Sequence, residues 1–299
     1  CTLIIYPAAP SDPLQYIELI SNHSKNEFLF DRIMFLALLK LTSFFTNEFF
    51  SLYFLTTACS CLFIAIAMHK AKRDNIDLFL LSAVLILNFA FVSSWGYGYP
   101  TQIAILPQLL AVLICCRNDS KYLVIFNVII FALILMKIQF IPTAMTLAIY
   151  KYYKVRDKIT LSILCLKLVL AGTIIFLFLL CVFGSELINH AIDYFGGSFA
   201  KQYEGRNENA LPIHHLILLL DPAFLLASCG VYFGLRSRMT FIKLISLIAL
   251  VDIVFVFFIY LITTRGGPII TNYFYSFYVF GSIAFVYKYQ QIMQKDAIY

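Results

Sequence analysis

The chain has 299 residues, 62% of them hydrophobic and only 13% charged, against about 45–50% and about 25% in soluble globular domains. Apolar surface on this scale exceeds what one water-soluble core can hide, which excludes a soluble enzyme, a disordered chain and a disulfide-stapled secreted module. The net charge of +6 is too dispersed for a nucleic-acid-binding face, so lipid is the expected solvent and no nucleic-acid partner is expected.

A bilayer core of about 30 Å needs about 20 apolar residues in helix. In chain order, residues 6–46 form an outside segment. Within it Ile33–Phe45 is apolar with Lys40 breaking the run, too short to span and suited to lying along the membrane face. Clear spans follow at Asn47–Met68 and Asp77–Trp95, then a shorter one at Thr101–Cys116 opened by Pro100. After the ambiguous stretch Tyr122–Tyr150 come Lys158–Phe183, Ile213–Leu235, Thr240–Thr263 and Ile269–Tyr287. Continuous Leu, Ile, Phe and Val make these helices, since barrel strands would alternate polar and apolar residues. The chain opens on Cys1 with no Met, and an outside N-terminal segment needs something to carry it across, so a first helix is expected to precede Cys1.

Tyr122–Tyr150 is either one long tilted helix or two short ones, because Lys137, Gln139 and Pro142 interrupt it. Charge placement decides, since cytoplasmic loops collect Lys and Arg. With a turn at the interruption, 14 of the 22 cations fall on one side and 7 on the other, Lys167 lying inside a span. A single helix would flip Lys151, Lys154, Arg156 and everything after them, and the bias would collapse. The expected fold class is therefore all-α: a polytopic transmembrane helix bundle of about nine crossings, one integral membrane domain over 1–299, with residues 184–211 as a second outside loop.

Polar chemistry gathers on the outer side. The first segment carries Asp12, Glu27 and Arg32, and the loop 184–211 carries Lys201, Arg206 and Glu208 around a Gly196-Gly197 break. Long polar loops of this kind are frequent binding loops. The turn Trp95–Gln102, the break at Lys137 and Gln139, and Arg265 followed by Tyr273 and Tyr275 complete the outer set. Aromatic rings stack on sugar faces and Arg binds phosphate bidentately, so the set suits a sugar pyrophosphate; the same rings also serve as interfacial anchors. Asp221, about two turns below the outer end of its span and near His214 and His215, is a candidate proton acceptor or a polar kink at Pro222. Lys167 and Asp252 lie at similar depth and are expected to form a buried ion pair. The cysteines, mostly in spans, show no metal-ligand spacing with His, so no metal and no cofactor are expected.

The order of Ser11-Asp12-Pro13-Leu14-Gln15-Tyr16, Asn26-Glu27-Phe28, the apolar helix, and Thr46-Asn47-Glu48 entering a span resembles the EpsG-like group of Wzy-type polysaccharide polymerases. Thr101-Gln102-Ile103-Ala104, Gln139-Phe140-Ile141-Pro142 and the late Arg265 continue the resemblance. The chain departs from the group's pattern at Gln139, where His is usual, and at Pro100-Thr101, where Arg often precedes the Gln. The resemblance implies a bacterial inner-membrane enzyme, active at the periplasmic face. It would join oligosaccharide repeat units carried on undecaprenyl pyrophosphate, as in O-antigen, capsule or exopolysaccharide assembly, with a chain-length regulator as a further partner. It implies Asp12, Glu27 or Asp221 as the acceptor-orienting carboxylate. Arg265, Lys137, Arg32 and Arg206 would bind the pyrophosphate, with Gln102, Gln139 and Tyr273 in the same binding set. Two other classes fit the composition: a membrane glycosyltransferase that adds single sugars from a lipid-phosphate donor, and a non-enzymatic flippase.

Overall fold

In the computed structural model, residues 32–87, 100–117, 119–184, 187, 222–263 and 275–296 are described. Every regular element among them is helical. They are α1 (Ile33–Ser43), α2 (Glu48–Arg73), α3 (Leu78–Leu87), α4 (Pro100–Cys115), α5 (Leu123–Met136), α6 (Ile141–Val155), α7 (Leu161–Phe183), α8 (Pro222–Leu235), α9 (Thr240–Thr263) and α10 (Tyr275–Asp296). Two of them, α2 over Phe50–Arg73 and α7, are long and apolar enough to cross a membrane; α1, α4, α5 and α8 are apolar but shorter. Each expected span overlaps one helix, yet α5, with 14 residues, covers about 21 Å and α6, with 15, about 22 Å, short of a bilayer core at right angles.

Local chemistry sets several boundaries. Asn47 starts α2 by accepting the amide of Phe50 on Oδ1 at 2.8 Å. Lys70, Lys72 and Arg73 carry α2 beyond its apolar run, where cations meet the negative helix end. Asn75, at φ 57°, then turns the chain in a conformation that Asn tolerates. Asp77 Oδ1 accepts the amides of Phe79 and Leu80 and starts α3.

The chain divides into two compact units, 1–58 with 96–206 and 59–95 with 207–299. In the first, α5 is central and packs on α1, α4, α6 and α7. The interruption in Tyr122–Tyr150 is a reversal. Tyr152 Oη donates to Asn127 Oδ1 at 2.6 Å, whereas one continuous helix would hold these residues about 37 Å apart. Lys137 has extended backbone, φ −169° and ψ 140°, and Ile138–Phe140 form a 3-10 turn closed by the Phe140 amide on the Lys137 carbonyl. Pro142 then opens α6, where its missing N–H is no loss.

The helix expected to lie along the membrane face forms as α1. Its residues Ile33 to Ala37 and Leu39 are buried, and exposure is confined to its end, where Phe44 and Phe45 stand out. It packs against α5 and α7 rather than presenting one apolar stripe. By contrast α7 leaves its flank bare: Leu161, Leu166 and Val169 are 75%, 67% and 66% exposed.

In the second unit α8, α9 and α10 pack mutually, and α3 packs on α10. Small residues let the backbones of α8 and α10 approach. A Cβ at Gly230 would collide with the carbonyl oxygen of Gly281, and one at Gly281 would sit 2.7 Å from the carbonyl oxygen of Ala227. Aromatic rings fill the rest of the seam, Phe224 lying 5.1 Å from Phe277. At one end Lys70 pairs with Asp74, which also accepts from Tyr287 Oη at 3.2 Å, and Gln290 accepts the Asp77 amide at 2.8 Å.

These two kinds of glycine give a controlled test. Gly230→Ala forces backbone apart and should destabilise the protein by about 1–3 kcal/mol. Gly172→Ala meets only Phe131 Cε2 at 4.0 Å. It should gain up to about 1 kcal/mol of helix propensity. Thermal unfolding of the purified protein reads both. Equal midpoints for the two variants would contradict the close α8–α10 seam.

Candidate functional site

The first unit has two polar ends of opposite character. The first is the loop end, at residues 116–122. Lys151, counted from the sequence among the cations of the basic side, is used inside the fold. It lies on the stripe Ala144, Leu147, Lys151 and Val155 that buries α6, and it is itself wholly buried. Its Nζ donates to the carbonyls of Ile114 at 3.0 Å, Arg117 at 2.7 Å and Asp119 at 3.1 Å. A cation thus caps the C-terminal carbonyls of α4, where it satisfies acceptors and meets the helix dipole. The spacing 144, 147, 151, 155 was available in the sequence as the signal for this.

Lys167 also serves the loop end. Its Nζ donates to the Ser120 carbonyl at 2.9 Å. Six residues into α7, its stem snorkels about 9 Å along the helix to reach polar groups, so it need not bury a charge. Asp252 is buried in α9 at 5% exposure. On the loop surface the Asp119 carboxylate is held below its ordinary range, chiefly because the Lys121 amide donates to it at 2.9 Å, and the Lys121 ammonium at 3.1 Å adds to this.

The opposite end is built from the start of α4, the break between α5 and α6, and the end of α7. Antiparallel pairing puts them together: Lys151 ties the end of α6 to the end of α4, Cys115 Sγ donates to the Leu147 carbonyl at 3.6 Å, and Tyr152 ties α6 to the start of α5. The other ends of these three helices therefore converge. Lys167 at the loop end fixes the direction of α7, and Lys40 Nζ lies 5.3 Å from the Phe183 ring at its far end.

Three of the expected binding residues fall here, all buried: Gln102 at 1% exposure, Gln139 at 7% and Lys137 at 9%. Buried polar atoms without a hydrogen-bond partner among the described residues gather here, while the loop end has Asn127 Nδ2 in the same condition. Both amide atoms of Gln102, Oε1 of Gln139 and Oγ1 of Thr101 are buried with no hydrogen-bond partner among the described residues. Each such group costs about 1–3 kcal/mol. Thr101 was missed as a site residue; its place before Gln102 on the first turn of α4 was the available signal. Lys137, at the C-terminus of α5, brings a cation to the same break. Arg32 heads α1, which packs on α5 and α7. The remaining expected site residues, Asp12, Glu27, Arg206, Asp221, Arg265 and Tyr273, lie outside the described residues.

Chemically, this end offers amide donors and acceptors, a hydroxyl and a cation in a desolvated setting, a set suited to polyhydroxylated or phosphorylated ligands. Among the described residues no three His, Cys, Asp or Glu gather as a metal site. Compared with protein-family models, curated proteins and solved structures, the chain shows no match.

The contrast between the ends is measurable. Gln102→Met removes a buried amide that has no partner among the described residues, so thermal unfolding should show a gain of about 1–3 kcal/mol, whereas Lys151→Met strips donors from three carbonyls and should lose at least about as much. Destabilisation by Gln102→Met would assign Gln102 to the scaffold.

Proposed function

We propose that the chain is a multi-spanning membrane glycosyl-polymerase of about nine crossings, its break end facing the periplasm of a bacterial inner membrane. It joins oligosaccharide repeat units carried on undecaprenyl pyrophosphate. The observation that carries this reading is the buried amide of Gln102, without a hydrogen-bond partner among the described residues, at the end of the bundle that also holds Gln139 and Lys137. A buried polar side chain left without a partner is a standing loss of stability, and a polar ligand is what removes it. The bare apolar flank of α7 supports the membrane assignment, because eight large side chains from Leu161 to Leu177 stand exposed on it. The resemblance to EpsG-like polymerases supplies the substrate class.

In this reading a hydroxyl of the acceptor unit attacks the anomeric carbon of the donor chain. The bond from that carbon to the pyrophosphate oxygen breaks, the undecaprenyl pyrophosphate departs with its charge, and the hydroxyl proton passes to a carboxylate, Asp12, Glu27 or Asp221. Pyrophosphate is already a good leaving group, so positioning and charge stabilisation supply most of the acceleration. Lys137 and Arg265, with Arg32 and Arg206, neutralise the pyrophosphate. Gln102 and Gln139 bind sugar hydroxyls, and Tyr273 stacks on a sugar ring.

Complementation of a polymerase-deficient strain tests the assignment, with the polysaccharide resolved by length on a gel. Lys137→Ala and Arg265→Ala should each lower long-chain product by about a hundredfold, the scale of losing one preorganised charge. The loop-end substitution Lys121→Ala should keep the ladder. Full ladders from both first variants would refute the polymerase reading, and a ladder whose every rung shifts would point to single-sugar addition.

A further inference from the structure

The start of α4 differs from the starts of α2 and α3, where Asn47 and Asp77 accept first-turn amides. Before α4 the sequence runs Gly96-Tyr97-Gly98-Tyr99-Pro100, which offers no Ser, Thr, Asp or Asn as a cap, and the first turn holds no acidic residue. That turn is deeply buried: Thr101, Gln102 and Ile103 are 2%, 1% and 2% exposed. A helix supplies no acceptor for the amides of its own first turn. Those of Thr101 and Gln102 therefore require one from outside α4, Pro100 having no N–H.

Two polar side chains stand at the same place. Thr101 Oγ1 and both amide atoms of Gln102 are buried with no hydrogen-bond partner among the described residues. They belong to one turn of one helix, so their proximity follows from the helix itself. Helical side chains lean toward the N-terminus, which directs both to that end. Donors predominate in the set: two backbone amides, Gln102 Nε2 and the Thr101 hydroxyl, beside the positive end of the helix dipole. Such a set suits a phosphate.

One atom does not suit it. Gln102 Oε1 only accepts, and an ionised phosphate facing it would leave it unpaired. A ligand that satisfies every member carries an O–H or N–H close to its phosphate. A neutral sugar lacks the anion, and a simple phosphate ester lacks the donor. A sugar joined to phosphate at its anomeric carbon has both, because the neighbouring carbon bears a hydroxyl or an acetamido group.

We propose that the first turn of α4 binds a glycosyl phosphate: the phosphate attached to the first sugar of the lipid-linked unit. The amides of Thr101 and Gln102, the Thr101 hydroxyl and Gln102 Nε2 donate to the phosphate. Gln102 Oε1 accepts from the hydroxyl or acetamido group beside the anomeric carbon. The site rests on the proposed function for its substrate class, and it adds Thr101 and the α4 amides to the binding residues.

The test follows thermal unfolding of the full chain in uncharged detergent, titrated with glucose 1-phosphate, methyl phosphate or glucose at about pH 8, where both phosphates are dianions. Glucose 1-phosphate should stabilise wild type at about tenfold lower concentration than methyl phosphate, the scale of one hydrogen bond, and glucose should have no effect over the same range. Gln102→Met should erase the difference between the two phosphates. Thr101→Val should weaken both by about fivefold, and Thr101→Ser should match wild type. Midpoints without ligand show that each variant folds. Equal response of wild type to the two phosphates would overturn the pairing of Gln102 Oε1, and no response to either would overturn the site. Wild-type behaviour in both Thr101→Val and Gln102→Met would remove the ligand from α4. Phosphatidylglycerol in mixed micelles acting as strongly as glucose 1-phosphate would overturn the glycosyl assignment in favour of a bilayer lipid. Binding is read apart from turnover: full ladders from Lys137→Ala and Arg265→Ala would end the polymerase reading and leave a glycosyl-phosphate site in place.

Discussion

The structure depends on where its apolar surface goes. α7 shows the problem in its plainest form: 23 residues, its large side chains turned outward from Leu161 to Leu177, and only a narrow stripe of Ala171, Ile175, Leu179 and Phe183 buried. Exposed apolar area of this extent is unfavourable in water at about 25 cal/mol per Å². In lipid the same surface is neutral, and the backbone is satisfied because each helix closes its own hydrogen bonds. Association between helices then has to come from close packing and polar contacts. Gly230 against Gly281 and Lys151 on the carbonyls ending α4 are those two devices, one in each unit.

In the first unit the buried polar atoms without partners among the described residues are concentrated at the break end, with Asn127 Nδ2 near the loop end as a further one. At the loop end two lysines are spent on backbone carbonyls, and the Asp119 carboxylate is matched to Lys121. At the break end Gln102, Gln139 and Thr101 keep buried polar atoms without partners among the described residues. A scaffold gains nothing from such groups, whereas a binding site gains specificity from them, since a ligand lacking the matching groups leaves them unpaired. Stability and function are therefore expected to pull in opposite directions at Gln102 and in the same direction at Lys151.

Much of the helical architecture was legible in the sequence. The apolar runs located the helices, and Lys137, Gln139 and Pro142 located the reversal, because a cation, an amide and a residue without an N–H do not together sustain an apolar helix. Helix ends were less legible. Hydropathy ends α2 near Met68, but the helix continues to Arg73 because its terminal dipole favours the cations there. The roles of individual lysines were hardest to read. Lys151 and Lys167 were assigned by charge and depth, but hydrogen-bond partners decide them, and carbonyls at the end of another helix leave no mark in composition. The short apolar α1 likewise gave no sign that Ile33 to Ala37 and Leu39 would be buried, since burial depends on α5 and α7 packing against it. Among the expected site residues, the three from α4 and the break converge because antiparallel hairpins require it.

The account turns on the two ends of the first unit meeting different aqueous phases. Alkaline phosphatase inserted into the full chain after Gly184, at the far end of α7, or after Lys121, in the loop, measures this directly in intact bacteria. The account predicts an active reporter at Gly184 and an inactive one at Lys121. Equal activity at both positions would put both ends on one side and contradict it.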